Sequence, residues 1–100
     1  MSYKYAEQLN ANIEKLSNYG LNERFVHAFA NELTYAQVVK TDAQTKEAHG
    51  RTEEAKEDYE TVKYRITFLL GMVDTLRALQ IIDYESDTNH ALCDMALSLR

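Results

Sequence analysis

The chain has no proline and no tryptophan, and its one cysteine is Cys93. Its three glycines, Gly20, Gly50 and Gly71, stand far apart. Each scarcity excludes something. Without proline the commonest helix breaker is gone. One cysteine cannot build an intrachain disulfide framework. Isolated glycines cannot form a glycine-rich phosphate loop or a Gly-x-Ser-x-Gly nucleophile turn. No apolar run approaches the roughly 18 residues that a membrane-spanning helix needs. The first residues, Met-Ser-Tyr-Lys-Tyr-Ala-Glu-Gln, carry no apolar signal segment, so a reducing, cytoplasmic setting is expected. Strand signals are missing too. No stretch alternates apolar and polar residues cleanly, and there is no Asn-Gly or Asp-Gly turn.

What is present is 100 residues with a formal net charge of −5, enough for one domain. Leu, Ile, Val and Phe total 23, above the floor of about 20% below which a charged chain stays disordered. Ala, Leu, Glu, Gln and Lys are frequent, and all favour helix. The expected fold is all-α: an antiparallel helical hairpin of two long helices, flanked by short N- and C-terminal helices, in a dimeric bundle. The single domain, 1–100, divides into helices at about 2–19, 22–49, 52–83 and 87–99.

The boundaries follow from local chemistry. Ser2 can cap the first helix, whose apolar face is Tyr5, Leu9, Ile13 and Leu16. Gly20 then takes the left-handed position after the helix, and Leu21 folds back toward Leu16. Asn22 caps the second helix, with Glu23 favourable in its first turn. Its apolar face is Phe25, Val26, Phe29, Leu33, Ala36 and Val39. From Lys40 to Asp58 the only apolar residues are Ala43, Ala48 and Ala55, which predicts a polar projecting tip. Gly50 ends the second helix and Thr52 caps the third. A continuous helix from Asn22 to Asp83 is the alternative, but at about 1.5 Å per residue it would be too long for a compact domain to cover.

The third helix has the cleanest pattern. Ala55, Tyr59, Val62, Ile66, Leu69, Val73 and Leu76 alternate steps of four and three, an a/d seam. Phe68, Met72 and Leu79 form a second stripe beside it, with Leu70 further round. Two short helices cannot cover so broad an apolar surface, and uncovered area of this kind marks association. Tyr59, Val62, Ile66, Phe68, Leu69, Met72, Val73, Leu76 and Leu79 are therefore the expected self-association residues. After a loop over Tyr84–Asp87, with Ser86 or Asp87 as cap, the last helix carries Leu92, Met95 and Leu99 on one face.

Glu53, Glu54, Glu57, Asp58 and Glu60 form the densest acidic group. Carboxylates one turn apart can bind Mg²⁺ through oxygen ligands. In its Glu-x-x-Glu-type cluster the segment resembles the all-α nucleotide pyrophosphatases of the MazG type. That resemblance implies a Mg²⁺-dependent nucleotide hydrolase using Glu53, Glu54, Glu57 and Asp58. Such enzymes need a second acidic cluster on a facing helix. The facing arm offers Asp42 and Glu47 amid Lys40 and Lys46. A solvated helix start rich in dipole-favoured acids accounts for the cluster without a metal. Asp87, His90 and Asp94 share one face of the last helix but make an incomplete ligand set. Cys93 has His90 at i−3 and no third catalytic group. The expectation is no catalytic, cofactor-binding or metal residue.

The basic residues are dispersed, which speaks against nucleic-acid binding, and −5 is a small charge for a DNA mimic. The Trp-x-Gly turn of small secreted helical-hairpin proteins is absent, because the turn reads Ala48-His49-Gly50. Seven tyrosines suit interfaces, since each combines large contact area with a polar tip. The expected function is a small acidic protein-binding module, an adaptor, inhibitor or assembly factor that acts as a homo-oligomer. Its size suits a phage or mobile-element accessory protein. Tyr35, Glu47, His49, Arg51, Glu54, Glu57 and Tyr64 are the expected partner contacts.

Overall fold

The computed structural model describes residues 3–100, so the expected cap at Ser2 lies outside the described residues. Among these residues there are four α-helices: α1 Tyr3–Leu16, α2 Glu23–Ala48, α3 Thr52–Ala78 and α4 Asp87–Leu97. No strand occurs among them. The helices pack as a bundle: α1 against α2, α2 against α3, and α3 against α4.

Each helix end has a local cause. The α-helical part of α1 stops at Leu16 rather than Tyr19. Ser17–Tyr19 tighten into a single 3-10 turn before Gly20, which is left-handed at φ +64°. The Asn22 side chain caps α2 by accepting from the backbone N–H of Arg24 at 2.8 Å. α2 ends at Ala48. Gly50 sits at φ +76°, its N–H donates to the Glu47 carbonyl, and the Arg51 N–H donates to the Lys46 carbonyl at 2.8 Å. These two bonds form a Schellman motif. Because Arg51 is drawn into that motif, it occupies the cap position of α3 and makes no side-chain cap. Thr52 is the first helical residue, not the cap expected of it.

α3 also ends earlier than expected, at Ala78 instead of Asp83. A second Schellman motif terminates it: Gln80 N–H donates to Arg77 and Ile81 N–H to Leu76 at 2.9 Å. The left-handed residue is Gln80, at φ +60°. Ser86 caps α4 by accepting from the Asn89 N–H at 3.1 Å. α4 stops at Leu97, two residues before the expected Leu99.

The core lies at the end of the bundle away from Gly50. Leu16, Phe29, Leu33, Leu69 and Leu92 are fully buried, and each contributes about 1.5–3 kcal/mol on removal from water. The Phe25 and Phe29 rings stack 5.7 Å apart. Toward the turn, beyond Lys40, the buried residues are Ala43 and Ala55. One methyl group contributes under about 1 kcal/mol, so stability resides at the base.

The a/d seam of α3 is largely taken up within the chain. Val62, Leu69, Val73 and Leu76 are buried in the same core cluster as Phe29, Leu33 and Leu92. This corrects their expected place in a self-association surface: α2 and α4 already cover them. Tyr59, Ile66 and Met72 are half-buried, and Phe68 and Leu79 stay exposed.

Candidate functional site

The turn end of the bundle is a closed set of polar contacts. Lys46 Nζ meets Asp58 Oδ2 at 2.7 Å. The Tyr59 hydroxyl donates to Glu47 Oε1 at 2.6 Å. With Arg65 Nη1 at 2.7 Å from Glu32 Oε2, these pairs join α2 to α3. Arg51 Nε donates to Glu54 Oε2 at 2.9 Å, and His49 Nδ1 lies 2.7 Å from the Thr45 carbonyl. The bond to Asp58 raises the Lys46 ammonium above its ordinary pKa, against the opposing effect of burial. The bond to Glu47 likewise raises the Tyr59 phenol, helped by burial. Both shifts preserve the proton that holds the two helices together.

The structure divides the expected partner contacts into two groups. Glu47, His49, Arg51, Glu54 and Glu57 gather at the turn. Tyr35 and Tyr64 do not join them. Each lies 14 residues along its own helix from His49 and Gly50 respectively, which is about 20 Å away. There Arg65 stacks its guanidinium over the Tyr35 ring, 4.9 Å from the centroid, while its Nη1 holds Glu32.

The acidic residues of the nucleotide-hydrolase alternative are engaged separately, Asp58 by Lys46 and Glu54 by Arg51. Among the described residues no group of three or more His, Cys, Asp or Glu side chains stands together to hold a metal ion. His27 touches Glu23 at 4.0 Å. Cys93 Sγ lies 3.9 Å from Asn89 Oδ1 and 4.0 Å from Arg77 Nη1.

Three features escaped the sequence reading. Arg77 lies against the Tyr84 ring, 4.5 Å from its centroid, and donates to Asn89 Oδ1 at 2.6 Å. Asn89 in turn donates to the Tyr84 carbonyl at 2.9 Å, which locks the α3–α4 connection. Lys40 Nζ reaches the Arg100 carbonyl at 3.0 Å and the carbonyl of Ser98, the C-cap of α4, at 3.5 Å, which sets a cation at the negative end of that helix. Arg77 and Asn89 stand 12 residues apart across a loop, and Lys40 and Arg100 stand 60 apart, so no helical spacing announces either contact. The third feature is a run on the outer side of α3. Thr61, Tyr64, Phe68, Gly71, Thr75 and Ala78 recur at steps of three and four, and none is charged. Tyr64 is 69% exposed, Phe68 47% and neighbouring Leu79 65%. This run was legible as a second heptad, but the stronger buried seam masked it.

No helix among the described residues is long and apolar enough to cross a membrane. Comparison of the chain with protein-family models, curated proteins and solved structures gives no match.

Proposed function

We propose that this chain is a small acidic interaction module that binds another protein, acts as a homo-oligomer and performs no catalysis of its own. One observation carries the reading. With the core complete, Tyr35, Tyr64, Phe68, Leu79, Ile81 and Tyr84 remain 43–69% exposed on a 100-residue chain. Large apolar and aromatic side chains left outside mark association surfaces. In this reading α2 and α3 are the two arms of an antiparallel hairpin. α1 and α4 brace its base, and the polar tip meets the partner. An adaptor, inhibitor or assembly factor fits such a shape, and a phage or mobile-element origin and a reducing cytoplasm fit its size and lone thiol.

The test is partner capture from the native host with the wild-type chain and with Glu54→Lys/Glu57→Lys. Exposed ion pairs contribute at most about 1 kcal/mol, so the double variant should fold nearly as well as the wild type. Its partner capture should weaken and change its salt dependence, because rim charges govern encounter. Equal capture by both proteins would move the contact away from the tip. Absence of any saturable partner would sink the reading.

A further inference from the structure

We infer that the outer seam of α3 is a two-fold interface with a second copy of this chain, in which the two α3 helices cross antiparallel and Phe68 of each seats over Gly71 of the other. The inference rests on the proposed homo-oligomer and names its surface.

Gly71 is the starting observation. It lies inside a helix with no left-handed φ, and a Cβ built there meets nothing within 4 Å. Alanine at such a position would favour the helix. Nothing among the described residues comes close enough to use the space. On an exposed helix face, the gap is a notch for a group from outside.

The seam around it is self-complementary in one direction only. In an antiparallel pair each a position faces a d position. Phe68 then meets Gly71 of the second copy, Tyr64 meets Thr75, and Thr61 meets Ala78. A large or branched side chain faces a smaller one in every layer. A parallel pair would set Phe68 on Phe68 and Gly71 on Gly71, alternating overpacked layers with voids, and both are destabilising.

Charge selects the same direction. The segment from Lys40 to Glu60 carries seven acidic and four basic side chains. A parallel pair would bring two such tips side by side, whereas an antiparallel pair sends them to opposite ends. Beside the seam, Thr67 falls opposite Asp74 of the second copy and Met72 opposite Arg65. No like charges meet.

The size of the surface sets the strength. Aromatic side chains bury about 150–250 Å² when fully covered. Two copies of Tyr64, Phe68 and Leu79, partly exposed as they are, supply about 600–800 Å², and Thr61, Gly71, Thr75 and Ala78 along the same seam bring the total toward about 1,000 Å², the lower edge of specific interfaces. The dimer should therefore be a micromolar one.

The test places single cysteines in a Cys93→Ala background. Thr61→Cys and Ala78→Cys each lie about 25 Å from their own equivalents in the antiparallel pair. The two cysteines face each other when the two variants are mixed. Under mild oxidation the mixture should form a covalent dimer, while either variant alone should not. In parallel, Gly71→Leu should raise the dissociation constant on the order of tenfold or more, with helicity by circular dichroism unchanged. Self-cross-linking of either single variant, or a wild-type dimer that neither cross-links in the mixture nor responds to Gly71→Leu, overturns the antiparallel interface and leaves the homo-oligomer standing. A wild-type mass of one chain at tens of micromolar overturns both.

Discussion

Gly50 and Gln80 hold the same left-handed backbone at the ends of the two long helices, φ +76° and +60°, yet the sequence announces only the first. Glycine has no Cβ to clash there, whereas an L residue bears a penalty of about 1–2 kcal/mol. The difference predicts opposite signs. Gly50→Ala should destabilise the fold by roughly 1 kcal/mol, and Gln80→Gly should stabilise it by about 0.5–1 kcal/mol. Urea unfolding midpoints check both. The same asymmetry explains what was legible. The end of α2 could be read from glycine chemistry. The end of α3 could not, because glutamine signals helix, and the helix was expected to run to Asp83. Thr52 was misplaced for a related reason: Arg51 backbone groups are committed to the preceding turn.

At the scale of elements, polar contacts fix how the helices sit on one another. Asn12 is buried between α1 and α2, donating to Thr34 Oγ1 at 2.9 Å and Gln37 Oε1 at 2.8 Å. Its place was readable, since it lies three residues after Leu9 and four before Leu16, in phase with the buried face. Asn12→Ala should cost about 1–3 kcal/mol by leaving buried polar groups unpaired, measured by the same unfolding curves. The tip depends instead on two protons. The folded pKa values of Lys46 and Tyr59 both lie above their ordinary values. Their contribution is therefore complete below the unfolded pKa values, near pH 10, and is lost as pH rises through the folded values. Above about pH 10 the tip should loosen before the base. Tyrosine absorbance should show a phenol ionising above the ordinary range, and Tyr59→Phe should remove that late component. A late component that survives Tyr59→Phe would contradict it.

The whole molecule is elongated, 46 × 25 × 17 Å, with its apolar core at one end and a polar tip at the other. The all-α class and four helices were legible because proline is absent and the apolar spacing is regular. Which apolar face is internal was not. Periodicity shows that Val62, Leu69, Val73 and Leu76 share a face, but it cannot say whether this chain or another covers that face. Long-range pairs such as Arg65 with Glu32 depend on the fold itself. The outward apolar residues are proposed to serve association between chains. Sedimentation equilibrium across the micromolar range is the decisive measurement. Association through these residues gives a mass near twice 11.5 kDa at tens of micromolar that falls toward a single chain on dilution; a constant 11.5 kDa at every concentration rules it out.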